Sequence, residues 1–162
     1  GKPRFVETRR GRIRRRPSPE GLEDVLSRNV GLYRKLPGDL RSELHGHVNV
    51  FLREKRFLGL GGQEITPEVQ FTLAGIACFL LLNKKPSYFP GFSSILVYPD
   101  AYETMQVDYD GLVETHKRSR RSGESWHRGP IVLSWSDVLR GAANAGDGYN
   151  VVLHEFAHKL DE

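Results

Sequence analysis

The chain has 162 residues, 38% of them hydrophobic, which predicts one domain with its own hydrophobic core. Its 24 basic and 20 acidic residues give a net charge of +4, and Cys78 is the only cysteine, so an intramolecular disulfide is excluded. The apolar stretch at 77–82 is far shorter than the roughly 20 residues that cross a bilayer, and no signal peptide pattern is present, so we expect neither a membrane span nor secretion.

The N-terminal segment holds most of the positive charge. Residues 1–16 carry a net charge of +7, which leaves the remainder at −3. The arginine run at 9–16 is compatible with nucleic acid or an anionic membrane, but it contains no aromatic residue for stacking on bases and no apolar face for insertion. We therefore predict a basic, flexible tail at 1–21 and a folded body at 22–162, with neither nucleic acid nor a membrane as partner.

Helices are predicted in the first half of the body. Residues 22–36 form a short helical stretch broken near Gly31, and apolar residues at helical spacing between 40 and 52 predict a helix that runs to about residue 55. His45 and His47 lie in this helix but are two residues apart, so they face different directions. We interpret both as surface or helix-packing residues rather than metal ligands.

A central buried helix is predicted at 67–82. Thr66 and Pro67 supply an N-cap and a first-turn proline, and the segment is apolar on all sides from Leu73 onward. Cys78 lies within it and is interpreted as a small core residue.

Strands follow at 95–98, 105–113 and 129–135, and a short helix at 137–140 begins with Ser134 or Ser136 as its cap. Helices come first, then strands, then a final helix. This order predicts an α+β fold with N-terminal helices, a small and mostly antiparallel sheet, and a last helix that carries the motif described next.

The last helix contains a His-Glu-x-x-His motif. On an α-helix, His154 and His158 lie about 40° apart, so both imidazoles can reach one metal ion. Glu155 lies about 60° further round, where it can contact a water at the metal without being a ligand. The motif therefore predicts a metal site with His154 and His158 as ligands and Glu155 as general base. The apolar residues Leu153, Phe156, Ala157 and Leu160 lie on a separate arc of the same amphipathic helix.

A catalytic zinc normally needs a third protein ligand, and none is selected by the spacing. Asp161 and Glu162 follow His158 on the same helix, too far along its axis to close a tetrahedral site. Glu114 and Glu124 lie upstream and stay open as alternatives.

Five segments together resemble a known family over about residues 25–162. They are FLREKRF at 51–57, ILVYP at 95–99, SGESW at 122–126, GPIVLSW at 129–135 and NVVLHEFAHKLD at 150–161. The chain resembles the Mlc titration factor A family of glucose-regulated metallopeptidases. The resemblance implies a cytoplasmic, zinc-dependent peptidase of the gluzincin type with aminopeptidase-like activity and a zincin-like fold similar to the anthrax lethal factor catalytic domain.

By the matched motif, the resemblance also implies that His154 and His158 bind Zn²⁺ and that Glu155 is catalytic. It implies a third ligand, a glutamate on a later helix, so we expect these 162 residues alone to be weakly active or inactive. Enterobacterial members of the family bind the repressor Mlc. The alternative function is therefore a binding module that sequesters a transcriptional repressor, with peptide hydrolysis secondary.

Overall fold

The computed structural model describes residues 2–100, 129–143 and 156–157. Within these ranges the elements, in chain order, are α1 (Lys2–Arg14), α2 (Leu22–Asn29), a 3-10 helix (Gly31–Lys35), α3 (Gly38–Glu54), β1 (Arg56–Gly59), α4 (Pro67–Phe79), β2 (Ser94–Tyr98), β3 (Ile131–Ser134) and α5 (Trp135–Ala143). The mixed helical and strand content confirms the predicted α+β class. The predicted strand at 105–113 lies outside the described residues.

The three described strands form a parallel sheet in the order β1-β2-β3, so the prediction of a mostly antiparallel sheet is wrong. Phe57 pairs with Ile95, which in turn pairs with Ile131. The parallel orientation of the first pair follows from α4, which connects β1 to β2. A crossover helix returns the chain to the end of the sheet at which the first strand began, so the second strand runs in the same direction. A tight turn would instead reverse the direction of the chain.

Helix α4 is the centre of the core, as predicted. The Thr66 hydroxyl accepts a hydrogen bond from the Val69 amide at 3.3 Å, and Pro67 occupies the first turn, where its missing N–H costs nothing. Its residues from Phe71 to Cys78 are all buried. Helices α2 and α3 both pack on α4, and the close approach of α2 is possible because Gly75 has no Cβ to meet the Leu26 side chain. Burial also raises the pKa of the Cys78 thiol well above its ordinary value.

The basic N-terminal segment is a helix, where the sequence predicted a flexible tail. Helix α1 packs against α3, and Ile13 is 6% exposed. Arg10 forms a two-point ion pair with Glu54 of α3, at 2.8 and 2.9 Å. Asn49 of α3 donates hydrogen bonds to the carbonyl oxygens of Ile13 and Arg16. The charge count did not reveal this docking. Among the described side chains of α1, Ile13 and a few specific polar contacts hold the face of the helix that packs on α3.

The predicted cap of the last described helix is confirmed. Ser134 ends β3, and its hydroxyl accepts a hydrogen bond from the Asp137 amide at 3.3 Å, in the first turn of α5. Among the helices that the structure describes, none has the length and apolar character needed to span a bilayer.

Gly59, the last residue of β1, tests the close backbone packing of the turn that follows this strand. A Cβ at this position would lie 1.8 Å from the carbonyl oxygen of Gln63, so backbone would have to move. We expect Gly59→Ala to lower the free energy of unfolding by about 1–3 kcal/mol, measured by urea denaturation. The control is Gly38→Ala, because a Cβ there meets nothing within 4 Å. Equal unfolding midpoints for the two variants would contradict the described turn after β1.

Candidate functional site

The three predicted site residues, His154, Glu155 and His158, lie outside the described residues, as do the open alternatives Asp161, Glu162, Glu114 and Glu124. The structure does describe Phe156 and Ala157, the two residues inside the motif. Both are helical, as predicted, and Phe156 is fully buried. The centre of the motif is therefore fixed in the fold by the surroundings of Phe156.

Phe156 belongs to an aromatic cluster of four rings, which we define as Phe51, Phe89, Phe92 and Phe156. Its ring centroid lies 6.5 Å from that of Phe51, 6.1 Å from Phe89 and 6.2 Å from Phe92. Phe51 comes from the last turns of α3, and the other two come from the loop that precedes β2. All four are at most 2% exposed. Ring pairs at these separations add to the stabilisation from apolar burial, so the cluster anchors Phe156 to α3 and to the loop before β2.

Lys55 holds the loop that carries two of these rings. Its ammonium donates hydrogen bonds to the carbonyl oxygens of Phe89, at 2.6 Å, and Phe92, at 2.7 Å, and lies 4.5 Å from the centre of the Phe92 ring. The residue is 9% exposed. Burial lowers the pKa of Lys55 to about 8, an effect that Glu54 opposes and Arg10 reinforces. Lys55 thus ties the end of α3 to the loop on which Phe156 rests.

The same loop contains two bulky residues in the left-handed region. Tyr88 and Phe89 both have φ of +56°. This conformation costs a non-glycine residue about 1–3 kcal/mol, and it persists only where surrounding contacts determine it. Those contacts are present, since Lys55 binds the Phe89 carbonyl and the Tyr88 hydroxyl is held by two partners. Backbone strain of this kind concentrates at functional sites.

The partners of Tyr88 form a buried polar chain. Arg14 donates to the Tyr88 hydroxyl at 2.9 Å, that hydroxyl lies 2.8 Å from His47 Nδ1, and His47 Nε2 lies 3.1 Å from a Glu43 carboxylate oxygen. All three bonds are satisfied when Tyr88 donates to Nδ1 and Nε2–H donates to Glu43. Burial lowers the pKa of His47, although Glu43 opposes the shift, which favours this neutral form. Both ring nitrogens are therefore engaged within the protein.

His45 has a similar structural role. Its Nε2 lies 2.7 Å from the hydroxyl of the buried Tyr33, and the two rings stack. The interpretation of His45 and His47 as packing residues is confirmed. Within residues 2–100, 129–143 and 156–157, no three His, Cys, Asp or Glu side chains are grouped closely enough to hold a metal ion.

Sequence reasoning missed Lys55 and the loop around Tyr88. Lys55 follows the final residue of α3, where a lysine is normally solvated. Only the fold brings its ammonium to the carbonyl oxygens of Phe89 and Phe92. The available signals were the dense aromatic composition of 88–92 and the spacing of Glu43 and His47, which are one helical turn apart.

The lysine contact predicts a distinctive pH dependence. The pKa of Lys55 is about 8 in the folded chain and near the ordinary lysine value of 10.5 in the unfolded chain, so the unfolded state binds more protons between these values. Stability from this group therefore rises as pH increases from 8 to 10.5, by about 3 kcal/mol at most. The difference in free energy of unfolding between wild type and Lys55→Met should grow over this range. With the exposed Lys84→Met as control, parallel curves for both variants would contradict the burial of the ammonium.

The sequence of this chain matches a known protein family. The sequence model of the glucose-regulated metallo-peptidase M90 family matches residues 5–162, and so includes most of the basic segment that the sequence reading had left outside its resemblance. An uncharacterized protein of Synechocystis sp. is 34% identical over 163 residues, which cover 99% of this chain and 59% of that protein.

Two further relatives share the name Mlc titration factor A. The protein of Klebsiella pneumoniae is 39% identical over 113 residues, which cover 68% of this chain and 42% of the relative. The protein of Yersinia pestis is 34% identical over 134 residues, which cover 82% of this chain and 49% of the relative. The chain therefore spans less than two thirds of the length of each of these three relatives.

Proposed function

This chain belongs to the glucose-regulated metallo-peptidase M90 family, and from that membership we propose that the protein is a zinc-dependent peptidase. His154 and His158 would hold the zinc ion, and Glu155 would be the general base. The observation that carries the proposal is the complete burial of Phe156, the residue at the centre of the motif, in the aromatic cluster.

The surroundings of Phe156 fit a metal site on the opposite face of the helix. If the helix at Phe156 and Ala157 continues through the motif, residues two positions before and two after Phe156 lie about 160° from it and about 40° from each other. Anchoring Phe156 in the core then directs His154 and His158 away from the aromatic cluster. Two imidazole nitrogens and an adjacent carboxylate match the donor chemistry of a catalytic zinc site.

The proposed chemistry assigns a proton-transfer role to one side chain. When bound, zinc would supply Lewis acidity to the scissile carbonyl. Glu155 would accept a proton from the attacking water and deliver it to the leaving amine. The aromatic cluster and Lys55 would hold the helix so that these groups keep their mutual geometry, because small displacements of catalytic groups cost large factors in rate.

The more detailed expectations belong to the same proposal. We propose peptides as substrates, an aminopeptidase-like specificity, and a cytoplasmic location. Their support is the family membership together with the resemblance of segments such as GPIVLSW at 129–135 and NVVLHEFAHKLD at 150–161.

Metal binding gives a direct test of the ligand assignment. We expect His154→Ala and His158→Ala each to weaken zinc affinity by more than about 100-fold, because loss of even an outer partner of a ligand costs 10–100-fold. Zinc content after dialysis, measured by mass spectrometry on the complete gene product, reports this loss. His45→Gln is the control, since His45 is engaged by Tyr33. Zinc retained by both motif variants would refute the assignment.

A second candidate function rests on the names of two relatives. Because the Klebsiella and Yersinia proteins are named Mlc titration factor A, we also propose that this protein binds and sequesters a transcriptional repressor of the Mlc kind. In that case peptide hydrolysis is secondary. Binding to such a repressor that survives loss of Glu155 would separate the two functions.

A further inference from the structure

A concave surface of about 240 Å³ lies between α1 and α3. It is lined by Arg9, Arg12, Ile13 and Arg16 from α1 and its following turn, and by Arg53 from α3. It is separate from the aromatic cluster around Phe156. Four of its five lining residues are arginines, whose guanidinium groups are positively charged.

These four guanidinium groups differ from their neighbours in the contacts that the structure describes. Arg10 forms a two-point ion pair with Glu54, and Arg14 donates to Tyr88. In contrast, as far as the described residues show, the side chains of the four lining arginines make no hydrogen bond or ion pair within the protein. Among the residues that the structure describes, helix α1 therefore has one arginine face that docks it to α3 and another whose guanidinium groups are available to a ligand.

The backbone that carries the lining arginines of α1 is held against α3. Arg9, Arg12 and Arg16 are spaced i, i+3 and i+7, which places them on one side of the helix or its continuation. The two hydrogen bonds from Asn49 fix the end of α1 to α3, with carbonyl partners at residues 13 and 16, and Ile13 is buried beneath them. Like charges that line one concavity repel one another, and an anion with several negative charges would relieve that repulsion.

We infer that this concavity binds a small, multiply charged phosphate compound. Arginine forks match phosphate oxygens in pairs, which makes arginine clusters suited to this ligand class. The volume is below the roughly 300–1,000 Å³ of pockets that enclose drug-sized ligands, so it suits a compact anion. Its lining includes no aromatic residue on which a base would stack, which disfavours single-stranded nucleic acid. The inference rests on no part of the peptidase proposal.

The test is calorimetric titration of the protein at low salt with inorganic pyrophosphate and, in a second arm, with phenyl phosphate. We expect saturable binding of one anion per chain in at least one arm. Tighter binding of pyrophosphate would identify the ligand as a free phosphate, and tighter binding of phenyl phosphate would identify it as a phosphate ester. The double variant Arg12→Gln/Arg53→Gln removes one arginine from each helix and should weaken the affinity at least tenfold.

The control is Arg15→Gln/Arg56→Gln, which removes the same charge from two exposed arginines outside the concavity. It should change the affinity less than threefold, and unchanged thermal unfolding of both double variants without ligand verifies their folding. Absence of saturable binding would overturn the inference, and so would equal losses in the two double variants. Tighter binding of a single-stranded oligonucleotide than of either small anion would overturn it in favour of nucleic acid.

Discussion

Glu155→Gln should reduce peptide hydrolysis by about 10²–10⁴-fold while leaving the zinc content unchanged. The amide has nearly the same shape as the carboxylate but cannot accept the proton from the attacking water, and a positioned general base contributes about this factor. The zinc content is expected to stay constant because Glu155 is not assigned as a ligand. The measurement is kcat/KM for a peptide substrate on the complete gene product, with zinc determined on the same sample.

A matched control is Glu64→Gln, because Glu64 is exposed and lies in the segment between β1 and α4. It should retain wild-type activity. Full activity in Glu155→Gln would contradict the general-base role, and loss of zinc from this variant would mean that Glu155 is itself a ligand. If Glu155→Gln is inactive but still binds a repressor, the sequestering function does not depend on hydrolysis.

Phe156→Ala should have the largest effect on stability, about 3–5 kcal/mol of the free energy of unfolding. The substitution removes a fully buried ring that contacts the other three members of the aromatic cluster, and a cavity remains between α3 and the loop before β2. Zinc affinity should also fall, by about tenfold or more, since the residue lies between the two proposed ligands in the sequence and would orient them. Urea unfolding and a zinc titration measure the two effects.

Two further variants sharpen this test. Phe156→Leu keeps most of the apolar volume and should cost less than about 1.5 kcal/mol. Phe57→Ala removes a half-buried ring from β1 and should cost less than Phe156→Ala, with no change in zinc affinity. If Phe156→Ala destabilises the protein no more than Phe57→Ala, the aromatic cluster does not anchor the motif.

The parts of the fold that have local causes were predictable from the sequence. Thr66 and Pro67 are the N-cap and the first-turn proline of α4, and both are evident in the sequence. The apolar spacing of α3 identifies that helix directly. Strand β1 was missed because its four residues are mostly exposed and follow the charged end of α3 without a period of two. The parallel orientation of the sheet was missed because it depends on where α4 returns the chain.

The candidate site also has a part that depends on local sequence and a part that depends on long-range contacts. The spacing of His154, Glu155 and His158 is local, so the sequence alone suggests their chemistry. The anchoring of Phe156 depends on Phe51 and Phe89, which are more than 60 residues away along the chain. The docking of Lys55 onto two carbonyl oxygens depends in turn on the left-handed backbone at Tyr88 and Phe89, for which no local pattern exists.

The most direct test of the proposed metallopeptidase site is the position of the metal. Crystals of the complete gene product with equimolar zinc should be measured on both sides of the zinc absorption edge. We expect one strong anomalous peak in contact with both His154 and His158, with Phe156 buried on the other side of the helix. A peak bound elsewhere, or no peak at these two histidines, would contradict the proposal that this motif is a zinc centre.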